Sequence, residues 1–382
     1  MSAVTSPVEL TTAYKWCSAH VRAAFVHDTE PVAVSLLGIY TARCRRTRNV
    51  WMARSRRRTR KYSSRMTALP SRPLGSSGLQ VSLFALGSWR TFERIPREQG
   101  VAIMMAAREV GITFLDDARY NDETGTAPIP TGYSEVIFGE LLRATGWERD
   151  EVVIANKLWW EFWPEQNARG ELDASLARME LDHIDLIYSM QPPPGLAIAD
   201  LVAQVATLIS SGRATAWGIG NWTAADLAAA VTACCALDVP LPAAAQLPYS
   251  VAHPGWVEDP AMEAVLADAN IGLVASFVLA GGTLTGKYAD GATGRATTGG
   301  GTPDGVRSNP QAAALISLAQ EWNVTPTSLA FSFVLSHPRL SSVLFGATSA
   351  EQLRENVASL AVFESLSAEQ LDHLRLIATR GE

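Results

Sequence analysis

The sequence predicts an α/β protein built as a parallel (β/α)8 barrel, the TIM-barrel architecture, with extra helices towards its C-terminus. Three observations predict it. From about residue 70 onward, short apolar runs alternate with longer amphipathic ones, separated by Gly, Pro or Asn. The short runs are apolar almost throughout, as strands of a parallel sheet covered on both faces must be. Polar and aromatic residues gather where those runs end, the C-terminal rim on which such barrels carry their sites. An open doubly wound sheet is the structural alternative, but the G-x-G-x-x-G turn it needs after its first strand is absent.

In chain order, strands are expected near 81–86, 112–116, 152–156, 185–189, 215–219, 243–246, 272–276 and 342–346. Helical periodicity covers 97–109, 134–145, 171–180, 198–210, 223–236, 257–268, 309–322 and 349–360, with further helices at 326–336 and 367–379. Two inserts interrupt this rhythm. Asn121 to Thr131 reads as a loop over the barrel mouth, and Gly282 to Pro303, rich in Gly and Thr, as the longest irregular segment.

Of 382 residues, 47% are hydrophobic and 18% charged, which supports a large core and excludes a disordered chain. Cys17, Cys44, Cys234 and Cys235 show no metal-ligand spacing and no disulfide framework, so no metal is expected and a reducing cytoplasm fits. The apolar run Val32 to Tyr40 is too short to span a membrane, so no insertion is expected. Residues 1–65 carry 13 Lys and Arg against Glu9, Asp28 and Glu30, a net of +10 in a chain of net −6, which leaves −16 for the rest. That basic segment reads as an extension upstream of a native start at Met66, with a flexible basic arm as the alternative; the domain is then 66–382. The acidic remainder argues against a nucleic-acid groove, and no nucleic-acid partner is expected.

Chemistry is most concentrated in Gly111 to Tyr120, G-I-T-F-L-D-D-A-R-Y. An apolar strand that delivers Asp116, Asp117 and Tyr120 at its end is costly unless those groups find partners. The run Val152 to Ala155 supplies one, because it ends in Asn156 and Lys157. If the two strands are parallel neighbours, an Asp, a Tyr and a Lys converge at one rim. The carboxylate then keeps the lysine charged, and the ammonium is expected to lower the tyrosine pKa. A surface Asp–Lys pair beside an unrelated tyrosine is the other reading. Trp89, Trp159, Trp160, Phe162, Trp163 and Trp222 all fall at expected strand ends, which suggests an apolar pocket there. In the late insert Lys287 and Arg295 could clamp phosphates; solvated loop cations are the alternative.

The rim motifs taken together resemble the aldo-keto reductase superfamily, and most closely its branch containing the voltage-gated potassium channel beta subunits and related bacterial reductases. L-G-S-S-G-L-Q-V-S (74–82) is similar to that branch's opening hairpin, and L-T-G-K-Y (284–288) and G-A-T-S-A-E-Q-L-R-E-N (346–356) carry its more specific signatures. The resemblance runs from about residue 72 to 378. It implies a barrel that binds NADPH or NADP+ in an extended pose. Ser88, Trp89, Asp116, Asn221 and Gln246 would surround the nicotinamide and its ribose, with Asn221 and Gln246 on the carboxamide. The ring that would stack on the nicotinamide is either absent or replaced by Phe277. Leu279, Ala280 and Gly281 would run under the pyrophosphate, Lys287 and Arg295 would reach phosphates, and Gly346, Thr348, Gln352, Glu355 and Asn356 would hold the adenosine half. A helix starting near Ser349 adds backbone amides suited to an anion.

The family's catalytic Asp and Lys fall on Asp116 and Lys157. Its tyrosine normally follows the aspartate by five positions, where this chain has Asn121; Tyr120 stands one residue early, and Tyr133 is a distant second candidate. The position of the usual histidine is Met190, which leaves substrate orientation to Gln191 and to a pocket of Trp89, Trp159 and Trp160. The resemblance therefore implies an NADP(H)-dependent oxidoreductase acting on small aldehydes or ketones with an incomplete catalytic tetrad. The second reading is an NADP(H)-binding regulatory or sensing subunit with slow chemistry. Homo-oligomerisation is compatible with either.

Overall fold

The computed structural model describes residues 69–288 and 309–379. It opens with an antiparallel hairpin, β1 (Ser71–Pro73) and β2 (Gln80–Ser82). Eight parallel strands follow and close into a barrel: β3 (Phe84–Gly87), β4 (Phe114–Asp116), β5 (Val153–Leu158), β6 (Ile184–Ser189), β7 (Ala214–Gly220), β8 (Ala244–Pro248), β9 (Gly272–Ser276) and β10 (Leu340–Phe345), with β10 returning to pair with β3. Outside them lie α1 (Arg97–Glu109), α2 (Tyr133–Ala144), α3 (Ala168–Met179), α4 (Ile198–Ser210), α5 (Ala224–Leu237), the single turn α6 (Gly255–Glu258), α7 (Pro260–Asp268), α8 (Pro310–Glu321), α9 (Pro326–Leu335), α10 (Ala350–Ser365) and α11 (Ala368–Thr379).

Helix starts are written locally. Asn167, Thr223, Asp259, Asn309, Thr325 and Ser349 each accept a first-turn amide hydrogen bond, and three of them precede a proline with preset φ. Two elements differ from the sequence expectation. The run 81–86 breaks at Leu83, because Val81 belongs to the hairpin and Phe84 begins the barrel. The run 257–268 divides at Asp259, whose extended backbone caps the helix beginning at Pro260.

Strand alternation sorts the core into two layers. Inward-facing Ala85, Phe114, Val153, Ala155, Leu186, Tyr188, Ala216, Ala244 and Val274 fill the barrel, together with Leu74 and Val81 of the hairpin. The hairpin covers the N-terminal end: Arg72 donates to the Leu340 carbonyl at 2.7 Å and Ser341 to the Pro73 carbonyl at 2.9 Å. Gly75 (φ 53°) lies so near the backbone that a Cβ would stand 2.2 Å from the Ala243 carbonyl oxygen. The polar strand ends lie at the opposite, C-terminal rim. No described helix is long and apolar enough to cross a membrane. The basic segment 1–65, the boundary at Met66 and Arg295 lie outside the described residues.

Candidate active site at the C-terminal rim

The strand register delivers the polar groups. Asp116 follows inward Phe114 by two residues, Lys157 follows Ala155 and Gln246 follows Ala244, so all three continue the inner face one layer higher. They meet. Lys157 Nζ pairs with Asp116 Oδ1, and Gln246 Nε2 donates to Asp116 Oδ2 at 2.9 Å. Asp116 is 2% exposed and Lys157 5%, and in that low-dielectric setting each ion needs its partner.

Tyr120 reaches the pair from a tight turn. Its amide donates to the Ala118 carbonyl at 2.9 Å, and its own carbonyl accepts from Gly132 at 2.8 Å. Lys157 Nζ then stands 3.2 Å from the phenolic oxygen. The expectation for its acidity is corrected here. Burial pushes the Tyr120 pKa well above 10.0, and Asp116 and Asp117 push in the same direction. Desolvation outweighs the lysine, so Tyr120 is a phenol held protonated.

Asp117 is fully buried, accepts a hydrogen bond from the Ser88 hydroxyl, and leaves Oδ2 without a partner. Burial, then the charge of Glu135, drives its pKa well up; Ser88, the Ala118 amide and Lys157 oppose the rise. Met190 follows inward Tyr188 by two and packs over Gly220, where a Cβ would lie 2.6 Å from the thioether sulfur.

The rim aromatics separate. Trp89 is 40% exposed, and half-buried Trp159 meets Tyr120 edge-on with ring centroids 6.0 Å apart. Trp160 and Trp222, expected at the pocket and rim, are instead packed in the main core at 2% and 0% exposure, and the Trp160 indole donates to Ser189 at 3.0 Å. A strand-end position does not reveal which way a side chain turns once its backbone enters the left-handed region, as at Trp160 (φ 60°). Gln191 is half-buried.

The residues expected to surround a dinucleotide line the other half of the rim. Asn221 (φ 59°) donates its amide to the Gln246 carbonyl at 3.0 Å. Phe277 (φ 56°) is 44% exposed and faces His253 at 6.1 Å. Leu279 (φ −102°) followed by Ala280 (φ 48°) forms a right-then-left-handed pair, the backbone concavity that suits an anion. Gly282 sits at φ 97°, backbone that an L side chain rarely adopts, with Lys287 Nζ 3.1 Å from where a Cβ would stand. At the start of α10 the Thr348 amide donates to Gln352 Oε1 at 2.8 Å, and Glu355 is exposed. Asn356 is 3% exposed, yet its side-chain nitrogen has no hydrogen-bond partner. A buried donor left without a partner, about two turns into α10, is the kind of group a polar ligand satisfies.

The sequence reading missed Arg119 and Glu171, buried at 4% and 2% exposure, which tie the Tyr120 turn to the β5–α3 connection. An arginine directly before a rim tyrosine was the one available signal.

Comparison with known proteins agrees with this fold. Two proteins named "Probable voltage-gated potassium channel subunit beta" are similar to the chain. The one from Arabidopsis thaliana is 29% identical over 323 residues, covering 80% of this chain and 95% of the relative. The one from Oryza sativa subsp. japonica is 30% identical over 326 residues, covering 80% and 95%. The profile of the Aldo/keto reductase family matches residues 84–378, from the first barrel strand into α11. With that match spanning the whole barrel and its rim, the chain belongs to the aldo/keto reductase family and is an oxidoreductase of that type.

Proposed function

We propose that the chain reduces aldehyde or ketone carbonyls with NADPH, using Tyr120 as the proton donor. The contact of the Tyr120 hydroxyl with Lys157, itself paired with Asp116, carries this reading. NADPH, when bound, supplies hydride for the carbonyl carbon. Tyr120 Oη donates its proton to the carbonyl oxygen, and the adjacent ammonium stabilises the phenolate left behind. Asp116 holds that ammonium in place. Trp89, Trp159 and Met190 give the substrate an apolar surround, and Met190 can neither donate a proton nor orient the carbonyl by hydrogen bonding. Gln191 is the nearest polar substitute in sequence.

The residues present fit the dinucleotide. Asn221 and Gln246 would hold the carboxamide, with Ser88 and Trp89 beside the ribose and Phe277 against the ring. Leu279, Ala280 and Gly281 would cradle the pyrophosphate. Lys287 and Arg295 would reach phosphates and favour NADP over NAD, and Gly346, Thr348, Gln352, Glu355 and Asn356 would receive the adenosine half. The orphaned Asn356 nitrogen is the structural support for that end.

Met190 in place of a histidine favours a second reading, a regulatory subunit that keeps the nucleotide and has slow chemistry. NADPH binding measured alongside NADPH oxidation over a panel of activated aldehydes separates them. Tight binding with turnover is expected; tight binding without turnover overturns the enzyme reading in favour of the second, and no binding removes both.

A further inference from the structure

Arg119 is the most buried guanidinium near the site, with a side chain 3% exposed, and none of the steps above uses it. Its Nη1 pairs with Glu161 Oε2 at 2.8 Å and donates to Thr131 Oγ1 at 3.0 Å. Its Nη2 faces Glu171 Oε1 at 3.7 Å, an ion pair without a hydrogen bond, and its Cζ lies 4.9 Å from the Phe162 ring centroid. These partners belong to three different segments: the far end of the 121–131 insert, the turn after β5, and α3.

Both acidic partners lead back to the reacting groups. Glu161 also accepts from the Asn121 side chain at 3.4 Å, so the two residues flanking Tyr120 are held on one carboxylate. Glu171 accepts the backbone amides of Trp159 at 2.8 Å and Trp160 at 3.1 Å. That turn needs holding, because Trp160 is a bulky residue in left-handed backbone (φ 60°). The edge contact between the Tyr120 and Trp159 rings closes the circuit. The cavity of about 350 Å³ beside the guanidinium does not mark a charged-ligand site, since in its wall Arg119 is paired with Glu161 and Glu171 and Arg178 with Glu135.

We propose that Arg119 is a positioning residue: its buried fork on Glu161, Glu171 and Thr131 fixes the Tyr120 turn against the Trp159 turn, and so sets the phenol over Lys157. Ser134 and Gly132 hydrogen-bond the backbone of the Tyr120 turn from one side, and the Arg119 fork ties it to the Trp159 turn on the other. The proposal rests on Tyr120 being the proton donor.

The test uses the full chain with Arg119→Gln, Arg119→Lys and Glu161→Gln, each also in a Tyr120→Phe background. Arg119→Gln is expected to lower kcat by about tenfold or more, with NADPH Kd and carbonyl KM within about twofold. Arg119→Lys restores part of that loss. In the Tyr120→Phe background Arg119→Gln costs less than about twofold, because its effect passes through the missing hydroxyl. In the cofactor-free protein, hydrogen exchange at the Trp159 and Trp160 amides rises about tenfold or more while the central β5 amides stay protected. Equal losses in the two backgrounds, or unchanged exchange at both tryptophan amides, overturns the proposal. If Tyr120→Phe alone has no effect, the proton-donor reading fails, and the exchange measurement still decides whether Arg119 holds the two turns. Should Arg119→Gln not fold, Glu161→Gln, whose side chain is 43% exposed, removes one arm of the same fork and is judged by the same readouts.

Discussion

Lys157 Nζ stands 3.2 Å from the hydroxyl of Tyr120, which follows Asp116 by four residues. The turn between them is held by hydrogen bonds: Ser134 Oγ donates to the Ala118 carbonyl at 2.6 Å, and Gly132 donates to the Tyr120 carbonyl at 2.8 Å. The Asn121 side chain, next in sequence, donates to Glu161 at 3.4 Å.

Adjacent Asp116 and Asp117 should respond oppositely to the same substitution. Asp116→Asn breaks a buried ion pair and is expected to cost about 3 kcal/mol of stability and at least about tenfold in kcat. Asp117 is already driven towards its neutral form by burial. Asp117→Asn should therefore leave kcat within about threefold and Tm unchanged or higher. Thermal melts and steady-state kinetics on the two variants check this. A larger loss at Asp117 than at Asp116 would reverse the assignment.

The raised Tyr120 pKa sets the pH dependence. A phenol whose pKa lies well above 10.0 remains a proton donor through neutral and mildly alkaline pH. Reduction kcat should stay within about twofold between about pH 6 and about pH 9. Alcohol oxidation, which needs the phenolate as base, should rise with pH over that window. An alkaline fall in reduction kcat centred near neutrality would place a different group at the proton transfer.

His337 should give the fold an acid weakness. Burial, with the Arg375 and Arg339 charges, lowers its pKa from 6.5 to about 4, while the exposed Glu263 carboxylate stands 3.9 Å away. Its ring packs edge-on against Tyr249, and Nδ1 accepts the Arg339 amide at 3.3 Å. Between those pH values the unfolded chain takes up the proton more readily, so stability is fully present above about 6.5 and falls as pH drops towards 4. The stability of the native chain relative to His337→Gln should decline by up to about 3 kcal/mol across that interval. Denaturant unfolding at both ends of the range measures it, and a pH-independent difference would contradict it.

Asn356 offers a stability–function exchange. Asn356→Leu removes a buried donor without a partner, and should raise stability by about 1 kcal/mol while weakening NADPH binding about tenfold. Unchanged NADPH affinity would remove Asn356 from the nucleotide site.

Elements with strong periodicity and clear stops were legible in the sequence. α1 at 97–109 and α4 at 198–210 fall where the pattern puts them because each buries one face, and β9 at 272–276 because it is apolar nearly throughout and buried on both. The Asp116, Tyr120 and Lys157 cluster was legible for a related reason: parallel neighbouring strands must end on one rim. What the pattern could not carry was side-chain direction and solvation. Trp160 and Trp222 occupy rim positions and turn into the core, and Tyr120 is desolvated enough to outweigh the lysine beside it. The partners of Arg119 come from segments far apart in the chain, so spacing gives no warning of them.

The most direct measurement of Tyr120 as the reducing site's proton donor is NADPH consumption with an activated aldehyde, native chain against Tyr120→Phe, with NADPH Kd determined for both. The expected result is measurable turnover in the native chain, a loss of about a hundredfold or more in the variant, and NADPH affinities within about twofold. Equal turnover in the two proteins would contradict the assignment and return Tyr120 to the status of a buried rim aromatic.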